Sequence, residues 1–336
     1  MKTVRYRLLL ALFGLALCAP TAALARRQNP TDAPPPQPPR QDAAADDRVT
    51  ARIVRVPVTV TGKDKKPVTG LRRDDFLVFE DKRPVQFDFL GEVRELEKLP
   101  IYIGVLMDTS SSTAGKLKFE QEAALNFIYA VTRTRKDHVA FVTFDDEVNL
   151  RQDFTTNLDL LDRAVNGIKR PGTQTSLYDA VWQFCDEKMR NASSPRRALV
   201  VITDGDDTYS RATLEEAIAI AQKTDTIIFA LSTKGGFAGS AVPGVEAGTV
   251  KDSGDKHLTR LAEETGGRAF FTGDMLALER AFKRIGEELR SQYLLTYVPR
   301  EPFDGSFRQI EVRLVNGKDM RVNAKRGYTA DRDASR

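Results

Sequence analysis

Three short segments bear oxygen donors suited to a hard divalent cation. Asp108 ends an apolar run and opens Asp-Thr-Ser-Ser-Ser, which puts Ser110 and Ser112 at alternate positions of one loop. Thr173 follows Pro171 and Gly172, and Asp204 opens Asp-Gly-Asp-Asp one threonine after a second apolar run that ends at Ile202. A cation such as Mg²⁺ takes a near-octahedral shell of oxygens at about 2.0–2.1 Å and readily keeps waters in it. Asp108, Ser110, Ser112, Thr173 and Asp204 together offer two carboxylates and three neutral hydroxyls, which leaves room for water or an outside ligand. So few acids keep the ion electron-poor, and an acidic group from a partner protein can displace one of its waters. Hydrolysis would need a base or nucleophile held beside the metal. No pattern supplies one, since the two histidines lack ordered acid and nucleophile companions. The set therefore reads as a binding site rather than a catalytic one. Oxygen-only ligation favours Mg²⁺, with Mn²⁺ and Ca²⁺ as alternatives.

Such a site needs elements that carry both acids to one edge. The runs 100–107, 138–144, 197–202 and 226–231 are short and apolar throughout, as strands covered on both faces are. Helical periodicity lies between and after them, over 116–131, 157–168, 176–190, 213–223, 256–265 and 275–290. Strands alternating with helices of this length predict an α/β fold, a doubly wound and mostly parallel sheet with helices on both faces. Ligands of such sheets gather beyond the carboxyl ends of the strands. If the strands before Asp108 and Asp204 are central neighbours, both carboxylates project there.

The two flanks change to a period of two. Residues 53–60, 76–80 and 85–89 read as strands on one side, and 293–298, 307–314 and 320–324 on the other. Their apolar faces need a common cover, so a small β domain formed by both chain ends is expected, with 49–92 and 291–328 as its two parts and the domain over 99–290 inserted between them.

The first 25 residues read as an export signal: Lys2, Arg5 and Arg7, an apolar stretch over 8–19, and Ala23-Leu24-Ala25 before the cleavage point. That stretch is shorter than the roughly 20 residues that span a bilayer as a helix. Leu17 before Cys18 is too large for the usual lipoprotein signal. Residues 26–48, with Pro30, Pro34 to Pro36, Pro38 and Pro39 among polar residues, read as an extended tether. The expected location is thus outside the cytoplasm, periplasmic or extracellular. The signal holds three positive charges and no acid, so its removal takes the formal +4 close to neutrality. No basic face with interleaved aromatics is present to engage nucleic acid. Only Cys185 outlasts the signal; it sits between Trp182, Phe184 and a helical run, where a thiol packs as a small hydrophobe.

In residue type and order, Asp108-x-Ser110-x-Ser112, the distant Thr173 and the Thr-Asp204-Gly turn resemble the metal-ion-dependent adhesion site of von Willebrand factor type A domains. The resemblance spans roughly residues 99–290. It implies that the serines and threonine coordinate directly, that the aspartates act directly or through water, and that a partner donates Asp or Glu to the ion. The flanks Val68 to Glu80, Ser291 to Pro299 and Arg326 to Tyr328 are similar to exported bacterial proteins described as VWFA-related, notably in Acidobacteria. The expectation is an exported, metal-dependent, adhesion-type protein-binding module. The competing expectation is a structural or assembly component that binds through the β domain while the metal steadies loops.

Other polar residues near these segments carry two readings each. Asp206 and Asp207 either tune the ion from further out or face solvent, and Thr175 either caps the helix that follows or takes the place of Thr173. Residues 232–254 form a Gly-rich connection longer than usual, suited to recognition. His138 and His257 read as structural.

Overall fold

The computed structural model describes residues 52–89, 96, 98–204, 206–234, 253–272 and 275–332. The expected signal and tether, and most of the Gly-rich connection, lie outside the described residues.

The apolar runs become the middle of a six-stranded sheet because no face of them is left to water. Strands β5 (Tyr102–Asp108), β6 (His138–Phe144), β8 (Arg197–Thr203) and β9 (Thr226–Ser232) are buried along almost their whole length. With β7 (Val148–Thr155) and β10 (Arg268–Phe271), the sheet order is β10-β9-β8-β5-β6-β7. All pairs are parallel except β6 with β7. One face is covered by α1 (Leu117–Val131), α2 (Leu158–Asn166) and α6 (Met275–Arg290), whose Phe127, Leu161 and Phe282 pack on Ile103, Val105 and Met107 in one buried cluster. The other is covered by α3 (Leu177–Glu187), α4 (Leu214–Lys223) and α5 (Ser253–Glu264), with Phe184, Ile218 and Leu261 in a cluster around Leu106, Leu199 and Val201. Gly104 at the centre of β5 is dictated by this second layer: a Cβ there would stand 2.4 Å from the Phe184 ring and 2.5 Å from Leu199.

Two of the six strands, β7 and β10, were not evident in the sequence. β7 is a half-exposed edge strand, Val-Asn-Leu-Arg-Gln-Asp-Phe-Thr, so it has neither a continuous apolar run nor a clean alternation. β10 is four residues long.

The flanks form two four-stranded antiparallel sheets. One has the order β13-β1-β11-β4, from β1 (Val54–Thr61), β4 (Asp88–Phe89), β11 (Tyr293–Tyr297) and β13 (Arg321–Ala324). The other runs β14-β12-β2-β3, from β2 (Phe76–Glu80), β3 (Arg83–Pro84), β12 (Phe307–Leu314) and β14 (Gly327–Thr329). Each sheet joins strands from both ends of the chain, with Val56 opposite Leu295 and Val78 opposite Val312. Val56, Val58, Phe76, Val78, Tyr293 and Leu295 fill the core of the pair. Inside it, Glu80 accepts hydrogen bonds from the Tyr297 and Tyr328 hydroxyls at 2.6 and 2.9 Å, with the buried Arg308 guanidinium 3.6 Å away.

This sandwich meets the larger domain at the amino ends of the parallel strands. Lys325 donates to Asp225, the residue before β9, at 2.6 Å, and the Arg326 amide donates to the Glu264 carbonyl at 3.0 Å. The carboxyl ends of the strands, where Asp108 and Asp204 lie, are therefore left clear of it.

Candidate metal centre

The centre begins with register. β5 is the middle strand, and Met107 lies opposite Ile202 of its parallel neighbour β8. Asp108 thereby ends up beside Thr203, with Asp204 one residue on. The Thr203 hydroxyl donates to Asp108 Oδ2 at 2.6 Å, and the Ser110 amide donates to Oδ1 at 2.8 Å. Both carboxylate oxygens are thus fixed, and the side chain has no exposed surface. After Asp108 the chain stays extended at Ser110 and then winds into a short 3₁₀ turn, Ser111–Lys116, that leads into α1. This brings the Ser110 and Ser112 hydroxyl oxygens within 2.9 Å of each other.

The third segment arrives through backbone contact. Gly172 donates its amide to the Thr109 carbonyl at 2.7 Å, and the Ser111 hydroxyl donates to the Thr173 carbonyl at 3.0 Å. Glycine is needed at 172 for close approach: a Cβ would lie 2.5 Å from Cβ and Cγ of Asp145. The Thr173 hydroxyl donates to the Asp146 carboxylate, 2.7 and 2.9 Å from its two oxygens, while the amides of Thr173 and Gln174 donate to the same group. A hydroxyl whose proton is committed in this way keeps its oxygen lone pairs for another partner.

Asp145 and Asp146 were missed in the sequence, although the signal was there. They follow the apolar run 138–144 directly, as Asp108 follows its own. Glu120 was missed with more reason, because it sits on a helix face among apolar neighbours. It has no exposed surface; Oε1 accepts from the Thr233 hydroxyl at 2.8 Å, and Oε2 is buried with no hydrogen-bond partner among the described residues.

Electrostatics set these groups apart from ordinary carboxylates. Burial pushes the Asp108 carboxyl up from 3.8 to about 6, opposed by its hydrogen bonds from Thr203 and Ser110 and reinforced by the charge of Asp204. Burial holds Glu120 well above the usual carboxylate range, the Thr233 hydrogen bond pulls the other way, and Asp108 and Asp204 add to the rise. Such negative charge, withdrawn from water, is stabilised by a cation.

The remaining acids have other work. Asp206 pairs with Lys234 at 2.8 Å at the surface. Asp207 accepts from the Ser210 hydroxyl at 2.5 Å and from the Tyr178 amide at 3.3 Å, so it anchors the start of α3. Thr175 is buried, but the residue preceding α3 is Ser176, and its own side chain makes no capping bond. Thr175 instead lends its backbone, with its carbonyl accepting the amides of Thr208 and Tyr209 at 3.0 Å each. His138 stacks on Tyr102 with ring centroids 4.7 Å apart at the amino end of β6, and His257 Nδ1 lies 3.0 Å from the Tyr178 hydroxyl. Cys185 is fully buried, which raises its thiol to about 12.

Among the described residues no three His, Cys, Asp or Glu side chains are gathered closely enough to hold a metal by themselves. A cation at this edge would have to take hydroxyl oxygens along with its acids. The donors present fit that requirement: they are all oxygens, the central carboxylate is buried with its charge penalised, and a second buried carboxylate has an orphaned oxygen.

Comparison with known proteins agrees with this architecture. The model of the von Willebrand factor type A domain family matches residues 103–284, just over half of the chain. No curated protein matches the chain. Among solved structures, an aerotolerance-related membrane protein from Bacteroides fragilis is 17% identical, with a TM-score of 0.43 over 56% of this chain and 98% of that one. PilB minor pilin from Streptococcus sanguinis is 14% identical, with a TM-score of 0.43 over 58% and 62%. The vWF domain of the type V pili tip protein Mfa5 from Porphyromonas gingivalis is 20% identical, with a TM-score of 0.31 over 33% and 40%.

Proposed function

This chain belongs to the von Willebrand factor type A domain family, and from that premise we propose that it is an exported protein-binding module whose bound divalent cation recruits an acidic side chain of a partner. The observation that carries the reading is the convergence of the Asp108 loop, Thr173 and Asp204 at one edge of the sheet, with Asp108 buried at its centre. Asp108, Ser110, Ser112, Thr173 and Asp204 hold the ion. A bound ion would supply an electrophilic centre able to accept a partner carboxylate.

The rest of the assignment follows from what these residues do without the ion. Thr203 and Ser110 fix the Asp108 carboxylate, and Asp146 fixes the Thr173 hydroxyl, so the donors are held before any cation arrives. The sandwich, joined at the far ends of the strands, leaves this edge open to a protein partner. Export is supported by the composition of residues 1–25, and among the described residues no helix is long and apolar enough to cross a membrane. The proposed role is binding rather than catalysis.

Calorimetric titration of the protein with Mg²⁺, Mn²⁺ and Ca²⁺, with Asp204→Ala as control, tests the site. One-site binding lost in the variant is expected. Absence of binding to all three ions would sink the metal-bridged reading.

A further inference from the structure

We propose that Glu120 is a further carboxylate of the cation site, an outer partner that acts on the ion across an intervening water from behind the Asp108 loop. The inference rests on the reading that a divalent cation binds at this edge, and it deepens that reading by one residue outside the Asp-x-Ser-x-Ser, Thr and Asp set.

Placement comes first. Glu120 is in the first turn of α1, directly after the loop that carries Ser110 and Ser112. It points inward between that helix and the carboxyl end of β9, where Thr233 donates to its Oε1 at 2.8 Å. Thr233 is tied to the site through its neighbour: its amide donates to the Thr203 carbonyl at 2.9 Å, and the Thr203 hydroxyl donates to Asp108 Oδ2 at 2.6 Å. Two threonines therefore link Glu120 to the central carboxylate.

Charge comes next. Asp108 and Asp204 are both close enough to act on Glu120 electrostatically, and the Lys116 ammonium opposes them. The Lys116 ammonium donates to the Thr233 carbonyl at 3.2 Å, and among the described residues it makes no ion pair with Glu120. A helix needing only core packing at this position would carry an apolar residue, as Ala123, Ala124 and Phe127 do on the same helix. A glutamate with no exposed surface and, among the described residues, no partner on one oxygen is costly there as an anion, so it holds a proton until a positive charge completes it.

The role is outer rather than direct. Glu120 does not stand with Asp108 and Asp204 as a ligating trio, and Mg²⁺ ordinarily keeps several of its waters. Residues that orient or charge a metal site from one atom further out typically change affinity by about 10–100-fold when altered.

The test is calorimetric titration of Mg²⁺ and Mn²⁺ into the wild-type chain, Glu120→Gln and Thr233→Val, with thermal melts in EDTA to establish folding. Gln keeps the acceptor for Thr233 and removes only the charge. Affinity weakened about 10–100-fold, with one site retained and the EDTA melt no lower than wild type, is the expected result. Equal affinity in Glu120→Gln overturns the inference while the cation site stands. Failure of the wild type itself to bind overturns the cation reading and this inference with it. Thr233→Val leaves the carboxylate and removes its hydrogen bond. Retention of most of the affinity by that variant, set beside a loss in Glu120→Gln, supports the charge, whereas a loss equal to that of Glu120→Gln would show that packing alone is at work.

Discussion

Asp108→Asn should stabilise the metal-free protein at neutral pH while removing its cation site. The Asp108 carboxyl rises from 3.8 to about 6 because it is withdrawn from water, and a rise of that size corresponds to about 3 kcal/mol. The folded state holds the proton more tightly than the unfolded chain does. Wild-type protein in EDTA therefore has the full contribution of this group below about pH 4 and loses it as the pH climbs to about 6. Asn carries no charge to desolvate, and its geometry suits the site: its oxygen accepts from the Ser110 amide, and its NH₂ faces Thr203 Oγ1, which also accepts. The Thr203 proton must then find another acceptor, so the net gain above pH 6 is about 1–3 kcal/mol.

For a domain of this size about 2–4 °C accompanies each kcal/mol, so the melting temperature should rise by about 2–12 °C at pH 7. The assay is thermal unfolding of both proteins in EDTA from pH 4 to 8, repeated with Mg²⁺ in excess. The gap between variant and wild type should open from zero or below at pH 4 to its full value by pH 7, and added Mg²⁺ should raise only the wild type. A variant less stable than wild type at pH 7 in EDTA, or a gap independent of pH, would refute the claim that a buried, uncompensated charge is stored at this position.

Gly172→Ala places a methyl group 2.5 Å from Asp145, so the loop bearing Thr173 must shift; Mg²⁺ affinity by calorimetry should fall while the unfolding transition moves by no more than about 1–3 kcal/mol. Tyr297→Phe removes one of two hydroxyls that donate to the buried Glu80 and should cost about 1–3 kcal/mol in denaturant unfolding, with metal affinity unchanged because the sandwich joins the opposite ends of the strands. Cys185, fully buried with its thiol raised to about 12, should not react with an aromatic disulfide reagent at pH 8 until denaturant is added, and stoichiometric labelling of the native protein would contradict its placement.

What the sequence disclosed about the site depended on how each donor is positioned. Asp108 and Asp204 were legible because each follows a strand buried on both faces, and such strands show as apolar runs that locate their own carboxyl ends. The pairing of β5 with β8 then follows from the fold class, and the structure places them as adjacent parallel strands. Ser110 and Ser112 were legible as hydroxyls two residues apart directly after that strand end, and the 3₁₀ turn that starts at Ser111 brings their oxygens together. Asp146 and Glu120 were hidden for different physical reasons. Asp146 acts through Thr173, 27 residues further on, and a contact between two loops leaves no periodic mark in the chain. Glu120 is buried beside Thr233, which follows β9, but its sequence neighbours read as an ordinary helix face, and only its orphaned oxygen sets it apart in three dimensions. The same distinction explains the strands. Interior strands of the large sheet announce themselves by composition, whereas β7 and β10 close the sheet at its edges, where one side of the strand has no partner and selection for apolar side chains is weakest. A reading from sequence is therefore strongest at the centre of this fold, where the acids stand, and weakest in the loops that hold their partners in place.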